Sequence, residues 1–378
     1  YMKFILNLMA LIFLSSNCTS QTVTFQKTFG GADPETSYSV QQISDGGYVL
    51  VGATKSFGTS LDAYIIRLDS NGDTLWTRIF GGTASEGGKS VQQTSDGGFV
   101  ICGTTQSFGA GGNDVYLTKI DSTGSILWFK TFGGTRGDFG ETVKKTSDGG
   151  FIINGSTDSF GPGGSDVYVI KTDSSGDTLW TKTYGGSDND YGNSIQQAGD
   201  GGFIIMGTTH SFGTGISDLY LIKTDSSGNT MWSKTYGGTS WDEGFSVEQT
   251  NDEGYILLGH TLSFGNSSGT YLLKVDTIGN LMWSKTYNDT ASGYYGFAMR
   301  ETTDFGYIIT GKTSSGGDAY LLKVDNGGDV QWAKSYGTAT ESNYVQQTSD
   351  AGFVITGFMA VAGNFSDCLL YTSDAADE

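Results

Sequence analysis

The stretch SIQQAGDGGFIIMGTTHSFGTGISDLYLIKTDSSGNTMWSKTYGG, residues 194–238, decides the fold. A short segment ending at Gln196-Gln197 meets the turn Asp200-Gly201-Gly202, and the apolar run Phe203-Ile204-Ile205-Met206 follows it. An alternating run through Leu219-Tyr220-Leu221 comes next, then the turn Ser226-Ser227-Gly228-Asn229 and a last run containing Trp232. Gly-rich turns between short apolar or alternating runs are hairpin signals, and no segment of this unit carries a 3.6-residue apolar period. Four antiparallel strands per unit are therefore expected.

The unit recurs. Trp76, Trp128, Trp180, Trp232, Trp283 and Trp332 lie 52, 52, 52, 51 and 49 residues apart, and Phe25 takes the same place one period earlier. Repeats therefore begin near residues 25, 76, 128, 180, 232, 283 and 332. A period near 50 residues points to a solenoid or a propeller, and a second strand apolar on both faces suits blades packed between neighbours. Gly-Gly-like turns follow Asp45, Asp96, Asp148, Asp200, Asp252, Asp304 and Asp350. The expectation is an all-β, seven-bladed β-propeller of four-stranded antiparallel blades. The strand at Phe25 stands alone at the start, and the last unit lacks its own Trp strand, so the N-terminal strand is expected to close the last blade.

The chain has 378 residues with 59 Gly and 2 Pro, and 13% of it is aromatic. Gly and Pro together are about 16%, below the roughly 25–30% of low-complexity disorder, so the chain has the means to form a core. Lys plus Arg number 21 against 40 Asp plus Glu, a net charge of −19 that disfavours nucleic acid and anionic lipid.

Residues 1–20 read as a secretory signal: Lys3, then an apolar run from Phe4 to Leu14, too short to span a bilayer. Cleavage after Ser20 gives a secreted or cell-surface protein. A second reading of Leu14-Ser15-Ser16-Asn17-Cys18 is a lipobox that lipidates Cys18 and anchors an outer-membrane lipoprotein. No transmembrane segment is expected, and the chain reads as a monomer. Residues 368–378, from Cys368 to Glu378, resemble a translated sequencing adapter, which leaves 21–367 as the propeller domain. Leu369-Leu370-Tyr371 nevertheless fall where the third strand of the last unit belongs. Cys102 is then a lone thiol in an apolar run, with no disulfide framework around it.

The region 25–367 resembles the secreted bacterial and archaeal repeat proteins whose units read W-x-K-T-[FY]-G-G, S-D-G-G-[FY] and D-x-x-G-x-x-x-W. That resemblance implies a propeller without an assigned biochemical role. The segment Asp173-Ser174-Ser175-Gly176-Asp177-Thr178-Leu179-Trp180 is similar to the Trp-docking motif of quinoprotein-like propellers, which implies a packing device in which the Trp wedges between blades. The Asp-x-x-Gly-x-x-x-Trp spacing departs from the sialidase Asp-box, and the chain has only Arg67, Arg78, Arg136 and Arg300 to hold a substrate carboxylate.

Most charged residues follow the repeat. Arg67, Lys119, Lys171, Lys223, Lys274 and Lys323 form one basic column, and a second lies two residues after each Trp position; both read as blade architecture. Asp columns at the turns and strand ends read as turn caps. His210 and His260, the only histidines, lack a metal-site spacing and read as strand-end residues. No nucleophile elbow, P-loop or dinucleotide fingerprint sits in a strand-turn-helix context.

One constellation remains, in the connections from each Trp strand to the next unit. Glu35, Glu86, Asp138, Asp190, Asp242 and Glu341 each follow a Gly-Gly pair or its equivalent, so six carboxylates would ring one mouth of the channel. They would either recognise a ligand or hold loop N–H groups. Beside them lie Phe139, Tyr191, Trp241, Tyr294 and Tyr295, with Tyr38 further along. Trp241 is the one Trp outside the repeated column. Acids beside exposed aromatics suit a sugar ring or a cation. No cofactor is expected; Asp188 and Asp190 are weak candidates for Ca²⁺. The reading is an exported, non-catalytic module binding an extracellular glycan or protein through this face. The alternatives are a polysaccharide hydrolase or lyase using carboxylates among Asp138, Asp190, Asp242 and Glu243, and a structural or adhesive surface scaffold.

Overall fold

A computed structural model of the chain describes residues 23–264, 268–288, 294–313, 317–336, 340–361 and 365–373. The signal segment with Cys18, and the end of the tail from 374, lie outside the described residues. Blade one shows the plan: Glu35–Gln42, Tyr48–Thr54, Asp62–Leu68 and Thr74–Phe80, hydrogen-bonded in that order and antiparallel. Five more blades repeat it with four consecutive strands each, starting at Glu86, Asp138, Asp190, Asp242 and Tyr294.

The last sheet is built differently. Thr340–Gln347 and Phe353–Val361 pair with Phe365–Ser373, and Phe365–Ser373 pairs with Val23–Phe29 from the other end of the chain. The expectation of a seven-bladed propeller is therefore corrected. The chain completes six blades from consecutive strands, and the seventh four-stranded sheet is a composite that joins residues 23–29 to 340–373. Residues 368–373, set apart in the sequence as a tail, lie within that sheet. The seven first strands touch one another in a closed ring, so they surround the axis and the Trp strands lie outermost.

Turn chemistry explains the hairpins. In the first turn of blade one, the Gly47 N–H donates to Asp45 Oδ1 at 2.9 Å, and Gly46 takes φ 85°, a left-handed conformation that glycine adopts without strain. Three blades place another residue at that site: Glu253, Phe305 and Ala351, at φ 65°, 64° and 66°.

The core lies between blades. One apolar cluster joins Ile204, Met206, Leu219 and Leu221 of the fourth blade to Val247, Leu257 and Leu273 of the fifth. The second and third strands are buried on both faces because each blade is sandwiched, which is why Phe203–Met206 does not alternate. Each Trp docks on the next blade. Trp180 meets Phe203 edge-on at 5.9 Å between ring centroids, and its ring covers Gly228 so closely that an added Cβ would lie 2.9 Å away. Phe25 meets Tyr48 and Gly72 in the same way across the closing sheet.

The basic columns are also architectural. Lys171, Lys223, Lys274 and Lys323, largely buried, pair at 2.8 Å with the turn residues Asp148, Asp200, Asp252 and Asp304 of their own blades. The outer Lys130 and Lys285 pair with Asp177 and Asp329 of the next blade. Among the described residues no helix is long and apolar enough to cross a membrane.

Candidate functional site

Each inner strand carries the same irregularity at its fourth residue. The register slips between Gly192 and Ser194 in blade four, leaving Asn193 unpaired, and the equivalent slip occurs in all seven sheets. A bulge re-aims the extra side chain, here toward the axis. The residues so placed are Tyr38, Lys89, Glu141, Asn193, Phe245, Phe297 and Asn343, and all seven line one central cavity of about 350 Å³. A glycine on the second strand permits the bulge: a Cβ on Gly207 would lie 2.0 Å from the Tyr191 carbonyl oxygen, and one on Gly311 would lie 1.7 Å from that of Tyr295. The bulge residues differ in charge, size and polarity, whereas the glycines opposite them do not vary.

The carboxylate ring takes the other of its two expected roles. Glu35, Glu86, Asp138, Asp190 and Asp242 open their inner strands but are at most 1% exposed. Each accepts a hydrogen bond from a Gly N–H of its own connection, as Gly82 to Glu86 at 2.7 Å and Gly238 to Asp242 at 2.8 Å. Hydroxyls at the end of the second strand donate as well: Thr54 to Glu35 and Thr105 to Glu86 at 2.8 and 2.9 Å, Ser211 to Asp190 at 2.7 Å, and Thr157 to Asp138. A buried carboxylate needs such donors, and these acids tie loop to strand. Glu341 does not belong to this column. Backbone register puts Thr340 there and Glu341 one place later, facing the channel.

Tyr294 packs on Tyr320 at 4.8 Å within the sixth blade's core instead of at the mouth. Asp188 lines a separate surface cavity with Asn189, His210 and Ile216. Asp190 is committed to Gly186 N–H and Ser211 Oγ. Among the described residues no three His, Cys, Asp or Glu side chains gather as metal ligands.

The second place of each inner strand forms the mouth of the channel. Phe139, Tyr191, Glu243, Tyr295 and Glu341 occupy it, all of them half-buried. From blade four onward they join a continuous strip. Tyr191 meets His210 at 6.2 Å and His210 meets Trp241 at 5.7 Å, both edge-on, and Trp241 is 42% exposed. Glu243 pairs in register with His260, whose ring stacks on Tyr295 at 4.3 Å. Lys312, opposite Tyr295, reaches Glu341 at 2.8 Å and lies 5.5 Å from the Phe297 ring.

Burial pushes the Glu243 carboxyl up from its ordinary value, and His210 draws it part of the way back. Burial pushes His260 down to about 4, against a weaker pull from Asp242, so its imidazole is neutral near pH 7. Sequence reasoning placed Tyr191, Trp241 and Tyr295 on this face but read His210 and His260 as strand-end residues and passed over Lys312. The signal available was the second-strand partner of the second inner residue, which is Ala53, Thr104, Ser156 and Thr208 in four blades and His260 and Lys312 in the next two.

No protein-family profile matches the chain. The regulatory protein FlaEY of Caulobacter vibrioides is 28% identical over 163 residues, which is 38% of this chain and 17% of that protein. A protein of unknown function from Dyadobacter fermentans superposes at a TM-score of 0.56 with 11% identity, covering 94% of this chain and 99% of its own. The Pan2 WD40 domain of Neurospora crassa reaches 0.57 at 8% identity over 91% and 90% of the two chains. YCF48 bound to D1 peptide reaches 0.54 at 11% over 96% and 100%. At such identities the likeness is one of fold, and the fold is a β-propeller.

Proposed function

We propose that this chain is an exported, non-catalytic binding module that receives an extracellular glycan or protein on the strip from Tyr191 to Glu341. The observation that carries the reading is Trp241. Every other Trp is the blade-docking residue of its repeat, whereas Trp241 is exposed on the connection leading into the fifth blade's inner strand, against His210 and two residues before Glu243. Flat apolar rings beside acceptors suit sugar faces, and mixed aromatic and charged rims suit peptide segments. The propeller neighbours are consistent with an interaction module, YCF48 being one that is bound to a peptide. Export rests on the composition of residues 1–20.

The hydrolase or lyase reading loses support. It needs two carboxylates facing a substrate, and Asp138, Asp190 and Asp242 are buried and engaged in their loops, which leaves Glu243 as the one member of that set at the mouth. Immobilised neutral and uronate polysaccharides, together with a cell-surface protein extract, form the test panel. At least one is expected to capture the folded protein. Capture of none, or polysaccharide chain cleavage by the purified protein, would defeat the proposal.

A further inference from the structure

The opposite mouth of the channel departs from its own repeat in three sheets, with Lys144-Lys145, Glu248-Gln249 and Arg300-Glu301. The seventh and eighth residues of the inner strands are Gln-Gln in four of the seven sheets, and these amides stitch blade to blade. The seventh Gln accepts from the N–H of the next sheet's eighth residue: Gln93 to Gln41 at 2.6 Å, Gln249 to Gln196 at 2.8 Å, Gln42 to Gln346 at 2.8 Å. The eighth Gln accepts from the preceding sheet's turn, as Ser44 to Gln93, Ser147 to Gln197 and Thr303 to Gln347. In blade three both places are lysine, Lys144 and Lys145. An ammonium has no acceptor, so both belts are interrupted there.

The other cations reaching the channel have acids: Lys89 has Glu141 at 3.5 Å, Lys312 has Glu341 and Arg300 has Glu248 at 3.3 Å. Neither Lys144 nor Lys145 has an acid partner among the described residues. Both line a cavity of about 330 Å³ with Gln92, Gln196, Gln197 and Arg300. Glu248 also lines it but is committed to Arg300 and to the Glu301 N–H, at 2.7 Å. Across the channel, Arg300 lies 4.4 Å over the Tyr344 ring. Burial and Glu248 would push the Tyr344 phenol, which lines the adjoining central cavity, up, yet Arg300 and then Lys144 bring it below its ordinary value.

We propose that this mouth is an oxyanion site, in which Lys144 and Lys145 supply charge and the surrounding glutamine amides supply N–H donors to a sulfate, phosphate or carboxylate group. Lysine ammoniums and amides are strong donors to such oxygens, and the shared chemistry is a compact anion with three or more acceptors. The site is distinct from the Trp241 strip, at the other end of the inner strands.

The test is calorimetric titration with sodium sulfate and sodium phosphate at low ionic strength, of wild type and of Lys144→Gln/Lys145→Gln. The double variant installs the Gln-Gln pair of four other sheets, so it is expected to fold with an unchanged or higher thermal midpoint and to lose at least tenfold in affinity. Lys145→Glu, a change at an exposed position, serves as a second variant and is expected to lose as much. A sulfated oligosaccharide in a parallel arm locates the anion: tighter binding than inorganic sulfate assigns it to a glycan, and equal binding assigns it to the free ion. Equal affinity of wild type and both variants, or no binding of any of these anions, overturns the proposal.

Discussion

The outermost and innermost strands of the same blades are shaped by opposite demands. On the outer strand an aromatic ring returns in every sheet, Trp in six and Phe25 in the closing one, and the copies do the same thing: Trp76, Trp128, Trp180 and Trp332 each meet the first ring of the next blade's second strand. On the inner strand the backbone is the feature that repeats. Every sheet bulges at the same place, and the side chain carried there changes from Tyr38 to Lys89 to Glu141 to Asn193. The bulge fixes position while leaving identity free. A propeller of this kind can vary its channel without disturbing the contacts that close the ring.

The comparison breaks most severely where the bulge itself is blocked. Gly207→Ala would set a methyl 2.0 Å from the Tyr191 carbonyl, and a loss of about 3 kcal/mol or more is expected in urea denaturation. Trp180→Ala removes a half-buried docking ring and is expected to cost about 2–3 kcal/mol without altering the channel mouth. Equal stability of that variant and wild type would remove the outer column from the scaffold.

The next effect is titrational. His260 is neutral in the folded protein, with a pKa of about 4 set by burial, and unfolded histidine titrates near 6.5. Its folded pKa is depressed, so the stability it contributes is present above pH 6.5 and is lost as pH falls toward 4. That loss is about 3 kcal/mol, and His260→Gln is expected to flatten the thermal midpoint across this window. Below it the turn carboxylates act. Lys119 beside Asp96, and Thr94 after it, hold the Asp96 carboxyl at about 2. Asp148 and Asp252 also lie at about 2, because Lys171 and Lys274 with Thr146 and Thr250 outweigh the upward push of burial. Stability is therefore present above pH 4 and lost as pH falls through 2. Because these aspartates are half exposed, solvent screening limits each pair to about 1 kcal/mol or less. The smallest effect has the opposite sign: Phe305→Gly relieves a left-handed turn residue and is expected to add about 1 kcal/mol.

The outer column was legible because a repeat displays its own structural residues. Trp, Gly pairs and turn Asp recur once per unit, and periodicity alone assigns them. Depth was not legible. Spacing from a Gly-Gly pair places Glu86 and Asp138 in a connection, but whether a side chain turns in toward loop N–H groups or out toward solvent depends on the Thr and Ser that arrive from another strand. Glu341 was grouped with these acids because counting from the turn ignores where pairing begins. His210 and His260 carry no ligand spacing, and their meaning appears only when cross-strand register sets His260 opposite Glu243 and a loop brings Trp241 onto His210. The joining of the N-terminal strand to the last sheet was legible, because Phe25 stands alone before the first unit and the last unit lacks its own Trp strand.

The most direct measurement is capture of the folded Trp241→Ala variant on the polysaccharide and cell-surface panel, beside wild type and Trp180→Phe. Trp241→Ala is expected to keep its stability to within about 0.5 kcal/mol of wild type and to lose at least tenfold in capture, while Trp180→Phe retains capture. Unchanged capture by Trp241→Ala would contradict the assignment of recognition to the inner rim.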